Sequence, residues 1–378
     1  MTLQKPKPHF RCCSRMIISL ILVSVVVLYA LFIMGVDRAN GGTPRPEPKA
    51  APPSISIIVP VKDEIALIPY LYHTLEMQLC CTTAELIFVN DHSTDGSREW
   101  LGAHAAHSAV RIIDLEKGEE GKRAALHKAA RMAVGEVLLF IDADVEPSEC
   151  WLDEWTAKLQ STDADIWLGE VRKMPAKNFF ERMVGFEWRS IMYVSRTMAL
   201  AGVPVWANGA HMAVRRNSYL EFIDTRIGEA YPGGDDLFLI QWAYDQGKKV
   251  TAIWGDNGHV QLEMPQNIVQ WWLQRLRWGS KCGTYQTRAS VFLTSIVYFG
   301  NLAFVLIPFL APAFWPIMLL KVLADAYASA GMNRKGSWKD VPAFLALTAW
   351  YPLAITVLGP MSQAFNLQWK GRPILDRF

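Results

Sequence analysis

The stretch LLFIDADVEP, residues 138–147, ends an apolar run on Asp142 and Asp144, two carboxylates one residue apart. At a strand end such a pair projects in different directions. One member can then accept from a sugar hydroxyl while the other ligates a hard divalent cation through oxygen. A cation held there would neutralise a diphosphate leaving group. The same residues serve equally as caps for a following helix, with Pro147 near its first turn. A second acidic pair, Asp235 and Asp236, stands in GGDDLFLIQWAYDQGKKV after two glycines and before an apolar helix. Either aspartate suits an N-cap. Alternatively, Asp236 is a general base, a role that needs a carboxylate within hydrogen-bond reach of an acceptor hydroxyl.

Three further clusters carry chemistry. In GKRAALHKAARMA, Lys122 and Arg123 open a helix, where cations oppose the helix dipole unless an anion is present. The competing reading is a solvated basic face paired with Glu119 and Glu120. VNDHSTDGS, from Val89, reads as an Asx or N-cap turn, except that Asp91 faces a strand end, where its carboxylate can accept from a nucleobase or ribose. QLEMPQNIVQWWLQRLRWGSK (261–281) is an aromatic and basic helix suited to a membrane interface, with Trp271 and Trp272 at headgroup depth and Arg275, Arg277 and Lys281 towards phosphate.

The elements that position these clusters follow from periodicity. From Ser54 the chain alternates apolar runs with amphipathic ones: strand ISIIVPV, helix LIPYLYHTLEMQL, strand AELIFVND, helix SREWLGAHAA, strand VRIIDLE, helix GKRAALHKAARMA and strand EVLLFIDAD. That order predicts an α/β domain, a mainly parallel sheet with helices on both faces, over residues 54–265. Ligands sit at the carboxyl ends of such strands. Pro60 to Glu64, Asn90 to Gly96, and the Asp142 and Asp144 pair all fall there.

Around this domain the composition turns apolar. Hydrophobic residues make up 51% of the 378, and 38 Lys and Arg against 36 Asp and Glu leave a net charge of +2, which gives no reason to expect nucleic acid as a partner. Behind a basic segment (1–15), residues 16–34 form an uncharged run long enough to span a bilayer, so 16–35 reads as a transmembrane anchor. A Pro- and Gly-rich linker (36–53) follows. After the interfacial helix (266–285), residues 286–362 hold further membrane segments: a pair of short spans within 291–331, broken near Pro312 or Pro316, and one more at 341–361. A tail (363–378) closes the chain. Cys12, Cys13, Cys80, Cys81, Cys150 and Cys282 include no C-x-x-C pair, which suits a reduced compartment. Basic residues before the anchor favour a cytoplasmic N-terminus, whereas the basic loop with Arg334, Lys335 and Lys339 favours a cytoplasmic position for itself.

In their order these motifs resemble the membrane-bound glycosyltransferases of family 2, the inverting group with a GT-A fold that includes cellulose and hyaluronan synthases. IIVPVKDE, VNDHSTDGS, GKRAALHKAARMAVGEVLLFIDADV, NGAHMAVRR, DDLFLIQWAYDQGKKV and the Q-x-x-R-W motif QRLRW carry the resemblance from about Ser54 to Lys281. It implies that Pro60, Asp63 or Glu64, and Asp91 hold the nucleoside, Lys122 the diphosphate, Asp142 the nucleotide-sugar and Asp144 a divalent metal, Mn²⁺ or Mg²⁺. Asp236 would be the base, with Asp235, Asn208, Gly209 and His211 on the acceptor side, and Gln274, Arg277 and Trp278 closing over the diphosphate. The chain departs from the family pattern at Asn90, His127 and Asp235, where Asp, Asn and Glu are usual. The function implied is sugar transfer from a nucleotide-sugar, a UDP-sugar first among them, to a lipid or glycan acceptor by a domain facing the cytoplasm of the inner or plasma membrane. Two other readings stay open on the sequence: a catalytically silent nucleotide-binding scaffold, and a nucleotidyltransferase.

Overall fold

A computed structural model describes residues 8–35, 51–79, 82–105, 107–229, 231, 233–255, 257–331, 340–364, 368–369 and 372–373. Most of the linker, Cys80, Cys81, Arg334, Lys335 and Lys339 lie outside these residues, as do the side chains of Cys12 and Cys13.

Helix α1 (Pro8–Gly35) opens the described chain. The alternation then runs β1 (Ile55–Val61), α2 (Ile68–Leu79), β2 (Glu85–Asn90), α3 (Ser97–His104), β3 (Val110–Asp114), α4 (Gly121–Met132) and β4 (Val137–Ile141), within a residue or a few of the sequence expectation. After it come β5 (Val145–Pro147), α5 (Trp151–Ser161), β6 (Ile166–Gly169), β7 (Val171–Lys173), α6 (Phe179–Leu200), β8 (His211–Arg215), α7 (Arg216–Asp224), α8 (Asp235–Asp245), β9 (Val250–Ile253) and β10 (Val260–Leu262). Helices α9 (Ile268–Ser280), α10 (Arg288–Leu310), α11 (Ile317–Gly331) and α12 (Val341–Ala364) complete the larger elements. Pro147 does not open a helix. It closes β5, opposite Val260 of β10, and α5 begins only at Trp151. Asp142 and Asp144 therefore cap nothing.

The chain divides into two compact units. One draws on Gly41–Pro175 and Ser195–Met264, with Asn366–Phe378; the other on Met1–Asn40, Ala176–Val194 and Pro265–Phe365. Residues 176–194, inside the stretch expected to be one catalytic domain, thus group with the helices.

In the α/β unit, seven strands among the described residues form one sheet in the order β3-β2-β1-β4-β8-β6-β9. Neighbours pair in parallel except at β8, which runs antiparallel to both β4 and β6. Buried on both faces, β1, β2 and β4 read as almost unbroken apolar runs. Pro60 is tolerated in central β1 because pairing with β4 ends at Ile58, so its missing N–H costs no bond on that side. Side chains alternate across β8. Met212 and Val214 join the core with Ala125, Leu126 and Ala129 of α4, Tyr219 of α7 and Phe238 of α8. His211 faces the other way, against α5. Helices therefore cover both faces.

In the helical unit, α1 (from Met16), α10 and α12 are long and apolar enough to cross a membrane, three such helices among the described residues. The pair of short spans expected at 291–331 is instead one full-length helix, α10, and the 15-residue α11. At 1.5 Å per residue α11 rises only about 22 Å, short of a hydrocarbon core of about 30 Å. Tyr29, Ala30 and Ile33 of α1 pack with Ile296 of α10 and with Ala324 and Ala328 of α11. Buried Lys321 pairs with Asp325 at 2.6 Å, and the Tyr29 hydroxyl donates to the same carboxylate at 2.5 Å.

The interfacial reading of α9 needs correction at two residues. Trp271 and Arg275 are buried and bonded to Glu187 of α6, not turned to headgroups. Its exposed residues include Ile268, Val269 and Leu273 together with Gln270.

His211 gives a test of the α/β core. Its ring is wholly buried, Nε2 accepts from the indoles of Trp151 and Trp155 at 2.9 Å each, and Nδ1 donates to the Glu170 carbonyl at 2.9 Å. Burial pushes its pKa down to about 3. The unfolded chain therefore binds the extra proton first, so stability is full above the ordinary histidine pKa of about 6.5 and falls as pH drops from there towards 3. His211→Ala, which strands the Trp151 indole N–H, leaves Trp155 only its longer bond to the Gly258 carbonyl and opens a cavity, is expected to cost about 2–4 kcal/mol in urea unfolding of detergent-solubilised protein and to flatten that acid slope.

Candidate active site

The floor of the site is two loops laced together at the ends of β1 and β2. Asp63 takes a left-handed conformation, φ 54°, which aspartate tolerates better than most residues. Its carboxylate accepts from Thr94 N at 2.7 Å, and its own N–H donates to Ser93 Oγ at 3.1 Å. Glu64 N donates to Ser97 Oγ at 3.0 Å, and Ile65 N to Asp95 at 2.8 Å. The polar residues of STDGS therefore hold the neighbouring loop as well as turning their own. Asn90 donates through Nδ2 to Asp114 at 2.9 Å and accepts from Ser93 N at 3.1 Å. An aspartate here would set two carboxylates against each other, which accounts for the amide at this position. Asp91 is buried, and its Oδ2 accepts from Gly121 N, the first amide of α4, at 3.1 Å. That bond pins the helix start to the end of β2.

Helix α4 brings Lys122 to the centre. Its ammonium donates to Asp142 and, at 3.0 Å, to the Gly209 carbonyl. Burial alone would lower its pKa, but Asp142, Asp236 and Asp235 outweigh burial and raise it. Gly209 sits here because β8 runs antiparallel to β4. Ile141 faces His211, so the residues entering β8 meet those leaving β4, and Asp142 N donates to Ala210 O at 3.3 Å. On its other side Gly209 N donates to Asp236 Oδ2 at 3.0 Å, while Leu237 N donates to Oδ1 at 2.8 Å. A Cβ on Gly209 would lie 3.2–3.3 Å from the Asp236 side chain, a tight contact that would push that carboxylate by a few tenths of an ångström. Gly234, at φ 93°, is the N-cap of α8, which leaves Asp235 and Asp236 in its first turn rather than capping it.

Asp144 opens to solvent, yet the protein around it strips part of its hydration and Asp142 and Glu64 add like charge. Its carboxyl is pushed up to about 6. An uncompensated acidic group of hard oxygens is what a divalent cation relieves, so the residues fit Mn²⁺ or Mg²⁺. Among the described residues no three His, Cys, Asp or Glu side chains gather as a metal-binding group. The fit is to a cation that keeps water and substrate oxygens in its shell.

Arg123, expected on a solvated or anion-binding face, turns inwards to Asp235 and the Gly228 carbonyl, with its guanidinium 5.5 Å from the Phe238 ring centre. Asp235 is thereby an ion-pair partner beside Asp236. His127 and Tyr219 pack nearby with ring centres 6.0 Å apart, and burial lowers His127 to about 4, so its ring is neutral at pH 7. Arg123 Nη2, His127 Nε2 and Tyr219 Oη are buried with no hydrogen-bond partner among the described residues.

The structure thus gathers Glu64, Asp142, Asp144, Lys122, Gly209, Asp235 and Asp236 at the carboxyl end of the sheet, with Asp63 and Asp91 beside them. Asn208 shapes the turn into β8, its Oδ1 accepting from Ala210 N at 3.0 Å. His211 is not on the acceptor side but in the core, where its aromatic partners on α5 account for it. Gln274, Arg277 and Trp278 lie on α9 and belong to the helical unit.

The family described as "Glycosyl transferase family 2" matches residues 56–223, somewhat less than half of the chain. Glycosyltransferase AglE of Haloferax volcanii is 26% identical over 121 residues, 32% of this chain and 40% of that protein, so the match spans well under two thirds of the relative. Among solved structures, the mannosyltransferase PcManGT from Pyrobaculum calidifontis, in complex with GDP-Man and Mn²⁺, is similar over 91% of this chain and 99% of its own, with a TM-score of 0.49 and 18% identity. S. aureus TarS, residues 1–349, is similar over 85% and 95%, with a TM-score of 0.44 and 14% identity.

The pair between Arg123 and Asp235 generates a stability test. Arg123→Met strands a largely buried carboxylate and is expected to cost about 2–4 kcal/mol, whereas the double variant Arg123→Met with Asp235→Leu should recover much of that loss. Denaturation of the two single variants and the double variant measures the coupling.

Proposed function

We propose that this chain, whose residues 56–223 are a family 2 glycosyltransferase domain, is an inverting glycosyltransferase acting at a membrane. It moves a sugar from a nucleotide-sugar to a hydroxyl of a lipid or glycan acceptor. The observation that carries this reading is the continuous set of bonds from Asp142 through Lys122 and Gly209 to Asp236. One ammonium and one glycine hold a donor-side carboxylate and an acceptor-side carboxylate in fixed relation. Single displacement requires that arrangement.

In this reading the nucleoside lies over the loops built by Pro60, Asp63, Glu64 and Asp91, and Lys122 turns its charge to the diphosphate. Asp142 accepts from the nucleotide-sugar, and Asp144 holds the divalent cation. When bound, that cation supplies Lewis-acid neutralisation of the diphosphate. Asp236 takes the acceptor proton as the acceptor oxygen bonds to the anomeric carbon, and the bond from that carbon to the diphosphate oxygen breaks with inversion. Its two backbone donors, Gly209 and Leu237, fix which carboxylate lone pairs face the acceptor. Asn208 and Gly209 border the acceptor, and Gln274, Arg277 and Trp278 close over the diphosphate. The three bilayer-length helices support a membrane location. Cytosolic nucleotide-sugar supply places the catalytic unit on the cytoplasmic side, and a lipid-borne acceptor suits a unit tied to the bilayer.

Nucleoside diphosphate release by purified protein, screened over UDP- and GDP-sugars with Mn²⁺ or Mg²⁺, is expected to be metal-dependent and absent in Asp144→Asn. Inorganic diphosphate from a nucleoside triphosphate would identify a nucleotidyltransferase instead, and no release from any donor with a lipid extract present would identify a silent scaffold. Asp236→Asn is expected to lower acceptor-dependent turnover by roughly 10²–10⁴-fold with donor binding retained.

Protonation of Asp144 makes metal dependence steepen as pH falls through about 6. The sign for stability is opposite. A carboxyl raised in the folded state destabilises it when ionised, so Asp144→Asn should melt higher than the parent at pH 7 without metal. Differential scanning in EDTA reads that shift.

A further inference from the structure

Two of the Q-x-x-R-W residues on α9, Gln274 and Trp278, touch a buried ion pair whose members lie 88 residues apart in sequence. Glu187 of α6 is 4% exposed and Arg275 of α9 7% exposed. Arg275 Nε and Nη2 donate to the two carboxylate oxygens of Glu187 at 2.6 and 2.7 Å, and Trp271 Nε1 donates to Oε2 at 2.7 Å. The pairing is bidentate and planar, so the guanidinium has one orientation. Two consequences follow from that orientation. The remaining edge, Nη1, donates to Gln274 Oε1 at 2.6 Å. The flat face covers the Trp278 indole, with the guanidinium carbon 4.2 Å from the ring centre. Trp188, one residue beyond Glu187, packs 6.1 Å from the same indole, and Trp350 of α12 packs 4.4 Å from Trp271. The whole assembly lies within the helical unit.

A buried ion pair is weak evidence for stability, because well-packed apolar residues often serve as well. What this pair supplies that apolar residues would not is direction: one hydrogen bond to Gln274 and one stacking plane for Trp278.

We propose that Glu187 and Arg275 are positioning residues for Gln274 and Trp278, presetting both side chains for the donor diphosphate and acceptor end. The inference rests on the glycosyltransferase reading above. Arg275→Lys discriminates positioning from mere structure. Lysine keeps a cation against Glu187, so the fold keeps its neutral pair, but its single ammonium nitrogen cannot reproduce the planar fork that bonds both carboxylate oxygens with one edge left on Gln274, and it offers no plane to Trp278.

The experiment uses the full chain in detergent, with the donor identified by nucleoside diphosphate release. Arg275→Lys is expected to melt near the parent, to lower kcat roughly tenfold or more and to change the donor KM less than kcat. Gln274→Ala should cost much less on the Arg275→Lys background than on the parent, because there Gln274 is no longer held in the geometry the guanidinium fork imposes. The near-ultraviolet circular dichroism that Trp278 contributes, obtained by subtracting Trp278→Phe, should shrink in Arg275→Lys. Glu187→Gln, which keeps shape and drops the charge, should lower kcat in the same direction. Parental kcat in Arg275→Lys, independent effects of Arg275→Lys and Gln274→Ala, or an activity loss matched by a lower melting temperature would each overturn the proposal while leaving the transferase reading intact. An inactive parent would remove that reading and the inference with it.

Discussion

The ammonium of Lys122 stands among carboxylates, bonded to Asp142 and the Gly209 carbonyl and within the field of Asp235 and Asp236. Without that charge, the strand end carrying Asp142 and the helix start carrying Asp236 would repel each other across a short gap. With it, the two side chains can lie close. The rest of the α/β unit is arranged to deliver this cation: Asp91 anchors the first amide of α4, and the alanines of that helix let it lie close on the sheet. Arg123, the next residue, does for Asp235 what Lys122 does for Asp142. Two adjacent cations on one helix turn therefore hold the two acidic pairs of the site.

Much of this was legible in the sequence, and the reasons are physical. Strands β1 to β4 and helices α2 to α4 carry clean periods and turn residues at their ends, so local pattern and tertiary structure agree. Asp142, Asp144 and Asp236 were legible as candidates by their place beside apolar runs, although each also suited a helix cap and only the order of the motifs together favoured the site reading. Strand direction was not legible. The apolar pattern of β8 is the same read either way, and only pairing with β4 and β6 shows that it is reversed.

The misread residues share one cause, a partner remote in sequence. His211 looks like a polar site residue until Trp151 and Trp155 enclose it. Trp271 and Arg275 have the composition of an interfacial helix, and the same composition serves a buried ion pair once Glu187 is opposite. Nothing near Glu187 in the sequence marks it, since one glutamate on an amphipathic helix is ordinary. Arg123 and Asp235 are separated by 112 residues, which is why a basic helix face and an N-cap were the natural local readings.

The reversal of β8 also divides the site into a constant and a variable part. Register between β4 and β8 fixes Asp142 against Ala210 and Gly209, and no change in side chains away from that ladder can slide one past the other. The segment from 201 to 207, which enters β8 from α6, is bound by no strand pairing. Changes there leave the register that sets Asp142 against Gly209 and Ala210 in place. The fold is in this sense modular at one strand junction: the ladder fixes the backbone on one side, while the segment that feeds it is held by side-chain burial, Val205 and Ala207, and not by strand pairing.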